Sequence, residues 1–108
     1  MPAERLDLIH MQDLEQAAEC LRALAHPIRL RLLDILQQGE FPVGKLAEMV
    51  ELPSHQASEH LRLLQRHGLL SSRRCGRQVL YVIEAPQLPG LLKCIRENCQ
   101  CQPQSMDL

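Results

Sequence analysis

Three of the five cysteines in the chain lie within eight positions, at Cys94, Cys99 and Cys101. Thiolates are soft ligands that bind thiophilic ions. Cys99 and Cys101 have only Asn and Gln as neighbours, so packing in an apolar core does not explain them. The spacing therefore predicts a thiolate site formed by these three side chains.

The shape of such a site depends on where the helix that carries Cys94 ends. In a continuous helix Cys94 and Cys101 would share a face, whereas Cys99 would point away from both. If the helix ends near Asn98, which tolerates the left-handed conformation, the chain can turn back and bring the three sulfur atoms together. A pyramidal set of three thiolates suits As(III) or Sb(III). Zinc usually takes a fourth ligand, so Zn, Cd, Pb or Hg would need Cys20 or a thiol of a second subunit.

Each thiol also has a structural interpretation. Cys94 shares its helical face with Leu91 and Ile95, so a buried thiol is the alternative to a ligand at this position. Cys20 flanks the apolar stripe of the first helix and is predicted to pack there. Cys75 lies in a predicted turn and is expected to be an exposed thiol without a role.

Composition indicates one small domain with a Leu-rich helical core, because the 108 residues include one Phe, one Tyr and no Trp. Neither a secretory signal nor an apolar run of membrane-spanning length is visible, so we expect a cytoplasmic protein without a membrane partner. Such a location keeps thiols reduced, which favours ligand or redox roles for the cysteines over disulfides.

The net charge of −1 conceals an uneven distribution of charge. Between positions 54 and 83 the only acid is Glu59, and it is accompanied by five arginines at positions 62, 66, 73, 74 and 77. Clustered arginines without acids predict one basic face, which is typical of a nucleic-acid partner. A solvated arginine surface is the alternative.

Apolar spacing predicts five helices. The first covers about Leu14 to Ala25, the second begins at Pro27 and is closed by Gly39, and the third matches positions 43 to 50. The fourth begins at Ser54 and is closed by Gly68. The last runs from position 88 or 90 to about 98.

Between the last two helices the periodicity changes to alternation at Val79, Tyr81 and Ile83, and Cys75-Gly76 marks a tight hairpin turn. The predicted fold is therefore mainly α with a two-stranded β wing, a winged helix-turn-helix in which four helices precede the hairpin and one follows it. We expect residues 1–99 to form a dimerising DNA-binding domain and residues 100–108 a loose tail that contains a cysteine. The short apolar first and fifth helices are the expected homodimer surface.

The fourth helix is the candidate recognition helix. With Ala57, Leu61 and Leu64 turned inward, short polar and basic side chains remain on or near its outer side. In the major groove such groups contact base edges and phosphates, and arginines beside the hairpin turn are placed to follow the backbone or enter the minor groove. The predicted DNA-binding residues are Ser54, His55, Gln56, Ser58, Arg62, Arg73, Arg74 and Arg77.

Several motifs in one order resemble the ArsR/SmtB family of winged-helix repressors, over roughly Cys20 to Ile83. They read Leu24-Ala25-His26-Pro27-Ile28-Arg29-Leu30-Arg31-Leu32-Leu33, Leu46-Ala47, Ser58-Glu59-His60-Leu61-Arg62-Leu63-Leu64, His67-Gly68-Leu69-Leu70 and Arg74-Cys75-Gly76-Arg77 to Tyr81. The resemblance implies a symmetric dimer on a palindromic double-stranded DNA operator that is released by an inducer. It also implies that His60 supports DNA contact or packing and that His26 caps or packs the second helix.

The resemblance reduces the number of possible locations for the inducer site. The family's third-helix thiol pair is missing, because the corresponding run reads Phe41-Pro42-Val43-Gly44-Lys45-Leu46. Its zinc site on the last helix needs Asp and His, and neither occurs between Gln87 and Gln102. The remaining cysteines resemble those of members that sense trivalent arsenic at the end of the fifth helix.

We therefore expect a repressor that leaves its operator when As(III) or Sb(III) binds Cys94, Cys99 and Cys101. A redox or persulfide sensor of the same fold, and a thiol-rich metal carrier whose winged helix binds protein, are the alternatives. An enzyme is not expected, because no nucleophile–base arrangement, phosphate loop or catalytic zinc motif is present.

Overall fold

The structure is a computed structural model that describes residues 6–98. Within that range the chain forms five helices and three strands. In order they are α1 (Met11–Leu24), α2 (Pro27–Leu36), β1 (Phe41–Pro42), α3 (Val43–Val50), α4 (Ser54–Arg66), β2 (Leu70–Cys75), β3 (Gln78–Ile83) and α5 (Leu88–Asn98). The predicted winged helix-turn-helix is thus confirmed.

Leucines of four helices make the core. The largest completely buried side chains come from α2, α3, α4 and the first residue of α5, and they are Leu32, Leu33, Leu46, Leu61, Leu64 and Leu88. Tyr81 of β3 packs against the same cluster and joins the sheet to the helices. Burial of these side chains fixes which face of α4 points away from the core.

The two ends of α2 differ in how well the sequence predicted them. At the start, His26 caps the helix, because its Nδ1 accepts a hydrogen bond from the backbone N–H of Ile28 at 3.1 Å, and Pro27 occupies the first helical position. At the end, the prediction that Gly39 supplies a left-handed cap is wrong. The helix ends at Leu36 with Gln37 in the right-handed region. A Cβ atom at position 39 would instead lie 3.2 Å from the ring of Phe41.

The wing hairpin is confirmed, but the sheet contains a third strand that the sequence did not predict. β3 pairs with β2 on one side and with β1 on the other, both antiparallel, in the order β1-β3-β2. β1 has only two residues, and one of them is Pro42, which lacks a backbone donor and is tolerated at a sheet edge. Two residues are too few to show an alternating pattern.

Left-handed residues close α3 and α4. The predicted cap of α4 is confirmed: Gly68 has a φ of 74°, its N–H bonds to the carbonyl of Gln65, and the N–H of Leu69 bonds to that of Leu64. After α3 the same role falls to Glu51, with a φ of 58°. This turn joins α3 to the recognition helix.

Large apolar side chains are exposed in two groups and, singly, at Met49 of α3. One set lies just before and along α1 and comprises Leu6, Leu8, Ile9, Met11, Leu14 and Leu21, and the other lies on α5 and comprises Leu91 and Ile95. Among the residues that the structure describes, no helix is long and apolar enough to cross a membrane.

Candidate nucleic-acid interface

The recognition helix α4 presents the predicted polar side chains outward. Ala57, Leu61 and Leu64 are completely buried, as predicted, and they fix the rotation of the helix about its axis. Ser54, His55, Gln56 and Arg62 are consequently exposed and Ser58 is half-buried. Their direct contact with DNA stays a prediction.

His60 lies on α4 but has its polar partner inside the protein. Its Nδ1 accepts a hydrogen bond from the Nε–H of Arg29 at 3.2 Å, and its ring centroid lies 4.6 Å from that of His26. Burial, followed by the nearby charges of His26 and Arg29, lowers the pKa of His60 below its ordinary value, whereas Glu59 acts in the opposite direction. His60 therefore has the packing role expected for it, and its contact with DNA stays a prediction.

Arg29 is a functional candidate that sequence reasoning missed. The same guanidinium that binds His60 donates from Nη1 to the backbone carbonyl of Ala23 at 3.1 Å. It thereby connects the end of α1 and the start of α2 with the recognition helix. Because His60 lies 31 positions away in the chain, no local pattern could have shown this contact.

The wing carries the remaining predicted arginines. Arg73, Arg74 and Arg77 are all exposed around the hairpin turn, as expected for side chains that approach the DNA backbone. Arg73, however, forms an ion pair with Glu40, an acid that precedes β1 and lies outside the basic segment. Counting charges along the sequence missed this pair, because folding places Glu40 beside the wing.

A hydrogen bond joins the recognition helix to the wing. The side-chain amide of Gln65, in the last turn of α4, donates to the hydroxyl of Ser72 in β2 at 3.2 Å. Helix and wing must contact neighbouring grooves or phosphates at the same time, so their relative orientation matters for DNA binding.

The described thiols are distributed over three elements. Cys94 is exposed on α5, so the single subunit does not bury it, and its neighbours Leu91 and Ile95 are 36% and 38% exposed. Cys20 is half-buried and packs against the core, and Cys75 is exposed, both as predicted. Cys99 and Cys101 lie outside the described residues. Within residues 6–98, no three His, Cys, Asp or Glu side chains cluster in a way that could hold a metal ion.

Comparison with known proteins supports the DNA-binding interpretation. The model of a helix-turn-helix domain family matches residues 24–73. The HTH-type transcriptional regulator Rv0081 of Mycobacterium tuberculosis is 38% identical over 81 residues, which cover 74% of this chain and 71% of that protein.

Two solved structures are similar over most of their length. One is a homodimeric winged helix-turn-helix DNA-binding domain from Mycobacterium bovis, described as a possible ArsR-family transcriptional regulator; it is 30% identical, with a TM-score of 0.72 over 84% of this chain and 87% of that one. The chain belongs to the ArsR/SmtB family of transcriptional regulators. The second structural neighbour of this ArsR/SmtB-family chain is reduced HlyU from Vibrio cholerae. It is 30% identical, with a TM-score of 0.74 over 83% of this chain and 96% of that one.

Proposed function

We propose that this ArsR/SmtB-family protein is a homodimeric repressor that binds a palindromic operator and leaves it when As(III) or Sb(III) binds Cys94, Cys99 and Cys101. The observation that carries the proposal is the exposure of Cys94 on α5, beside the apolar side chains of Leu91 and Ile95. This thiol lies on an apolar surface that a second subunit would cover. The basic side chains predicted to contact DNA belong to other elements, α4 and the wing.

The outer side of α4 supports the DNA-binding part. Gln56 can pair bidentately with adenine, and Arg62 can bind guanine or a phosphate. Arg74 and Arg77 on the wing add cationic side chains that a phosphate backbone attracts. An operator with two half-sites then requires two copies of α4 held at a fixed separation.

Exposed apolar side chains support the dimer. Leu8 is 72% exposed, Ile9 65%, Met11 67% and Leu21 58%, and all belong to α1 or the segment just before it. Several large apolar side chains exposed along one segment are typical of a protein interface. The related Mycobacterium bovis domain is described as homodimeric. We therefore place the dimer surface on α1 and α5.

The donor chemistry supports the inducer. Three thiolates satisfy the pyramidal coordination of a trivalent As or Sb ion, and Cd, Pb, Hg or Zn would need a further ligand. Drawing Cys99 and Cys101 towards Cys94 would fix the end of α5 at the dimer surface and change the separation of the two recognition helices. A coupling of about 1 to 3 kcal/mol would weaken operator binding by about five- to 150-fold.

Arsenite titration tests the proposal. A duplex selected from a random-sequence pool by the reduced protein is labelled, and its fluorescence anisotropy is followed as arsenite is added. Arsenite should release the wild type and the Cys75→Ser control, whose thiol lies on the wing, but not Cys99→Ser. Release of Cys99→Ser at the wild-type arsenite concentration would exclude these ligands.

A redox or persulfide sensor is the second candidate, and two observations favour it. Cys94 is exposed to solvent, as a sensing thiol must be, and the similar HlyU structure is described as the reduced protein. Mild oxidation followed by mass spectrometry should then find one defined linkage among Cys94, Cys99 and Cys101, with loss of DNA binding.

A further inference from the structure

We infer that His26, His60 and Arg29 form a latch that positions the recognition helix, and that mild acid opens this latch and weakens DNA binding. The inference rests on the proposed DNA-binding function and adds a control to it that is independent of the thiols. It concerns the three helices that meet at Arg29: the end of α1, the start of α2 and the middle of α4.

The hydrogen bonds of the latch fix the protonation state of His60. Its Nδ1 accepts from the Nε–H of Arg29, so that nitrogen carries no proton and the neutral ring holds its proton on Nε2. A protonated imidazole has two donors and no acceptor. Protonation of His60 therefore removes the hydrogen bond to Arg29. It also places a positively charged imidazolium next to the guanidinium, and the two groups repel each other.

The Nδ1 atom of His26 is also a hydrogen-bond acceptor. It accepts from the backbone N–H of Ile28 and caps α2. The rings of His26 and His60 lie 4.6 Å apart between centroids, with planes inclined by 56°. Both rings therefore use Nδ1 as an acceptor, and His26 holds the start of α2 in place beside His60.

The charges around His60 favour the neutral form. The groups that face it are His26 and Arg29 from the beginning of α2 and Glu59 from α4 itself, while α1 contributes the Ala23 carbonyl that binds Arg29. Desolvation, His26 and Arg29 together outweigh Glu59 and lower the pKa. The latched state thus binds fewer protons than the open state. The stabilisation of the latched state by neutral His60 is fully present above about pH 6.5, the ordinary pKa of histidine. This stabilisation is lost as the pH falls below that value.

Opening the latch affects the surface that would contact DNA. His60 lies within two positions of Ser58 and Arg62, so a shift of its turn of α4 displaces side chains on the outer face. Non-specific electrostatics predicts the opposite response, since each new imidazolium adds positive charge and strengthens phosphate binding. The sign of the pH response therefore separates the latch from simple charge attraction.

The experiment measures affinity for the duplex selected at about pH 8, at constant ionic strength, down to about pH 5.5. Wild-type affinity should fall by about three- to tenfold over this range. His60→Asn should remove the fall, because an amide oxygen near the Nδ1 position still accepts from Arg29 but does not titrate. The control His67→Asn changes an exposed histidine that directly follows the same helix and lies outside the predicted DNA-binding set, and it should retain the fall.

A second measurement needs no DNA. The imidazole proton resonances of His60 are followed by NMR over the same pH range, and circular dichroism confirms that the helices persist. His60 should titrate below the ordinary pKa of histidine, because burial and the neighbouring cations disfavour its charged form. Affinity that rises on acidification in the wild type and His60→Asn alike, or titration of His60 at or above the ordinary histidine pKa, would overturn the latch. Failure to bind any duplex at about pH 8 would overturn the proposed function and the latch's role with it.

Discussion

Two side-chain contacts of α2 join it to helices that come much later in the chain. The contact between Arg29 and His60 spans 31 positions and that between Asp34 and Arg96 spans 62. Such pairs exist only once α2 has packed against α4 and α5, so no local pattern of residues predicts them.

The Asp34 carboxylate should stabilise the packing of α5 on α2. It accepts from the side-chain amide of Gln37 at 3.1 Å and pairs with Arg96, and its side chain is only 22% exposed against 54% for Arg96. A double-mutant cycle of Asp34→Ala and Arg96→Ala should give a coupling of about 0.5 to 1 kcal/mol, as expected for a partly screened pair. Urea denaturation measures each free energy of unfolding.

The matched control for that cycle is the pair Glu19 and Arg22 within α1, whose side chains are 65% and 69% exposed. Its coupling should be smaller, at most about 0.5 kcal/mol. Equal couplings in the two cycles would show that the contact between Asp34 and Arg96 does not fasten α5.

At the scale of elements, periodicity predicted the helices and the outward face of the candidate site. Three buried residues of α4, Ala57, Leu61 and Leu64, determine which side chains remain outside, and their spacing is visible in the sequence. The strand β1 escaped prediction because its pairing is made by β3 and not by its own pattern. The hydrogen bond between Gln65 and Ser72, which joins α4 to the wing, likewise depends on tertiary packing.

The wing should contribute phosphate contacts that can be counted by their salt dependence. Arg77 is exposed at the end of the hairpin, whereas Arg73 is already paired with Glu40. Arg77→Ala should weaken binding to all duplexes alike and reduce the slope of log affinity against log salt concentration by about 1. Anisotropy titrations at several salt concentrations measure this slope.

Lys93→Ala provides the comparison for the wing, because Lys93 is exposed on α5 and belongs neither to α4 nor to the hairpin. It removes the same charge from the protein, so any effect of net charge alone appears equally in both variants. A slope unchanged in Arg77→Ala, or lowered equally in Lys93→Ala, would place the DNA contacts elsewhere.

At the scale of the whole molecule, the predicted DNA-binding side chains and most of the exposed apolar side chains belong to different elements. The predicted DNA-binding residues lie on α4 and the wing, whereas Cys94 and all exposed large apolar side chains except Met49 lie on α5, on α1 or just before α1. A net charge of −1 does not reveal this separation, but the order of the motifs did, since each motif belongs to one element of a known fold. Neither the inducer nor the dimer contacts follow from that order, because both depend on atoms of ligands or of a second subunit.

Ile95→Glu should break the proposed dimer. Ile95 is 38% exposed on α5, and a second subunit would bury it, so a carboxylate there would lose its hydration without a partner at a cost of several kcal/mol. The dimer dissociation constant measured by analytical ultracentrifugation should rise by more than about 100-fold, and operator affinity should fall because two half-sites are no longer bound together. Met49→Glu is the control, since Met49 is equally exposed, at 37%, but lies on α3. Circular dichroism verifies that both variants are folded. A folded Ile95→Glu variant that sediments as the wild type does would remove α5 from the interface, and the exposed thiol of Cys94 would then be too far from the second subunit to influence the separation of the recognition helices.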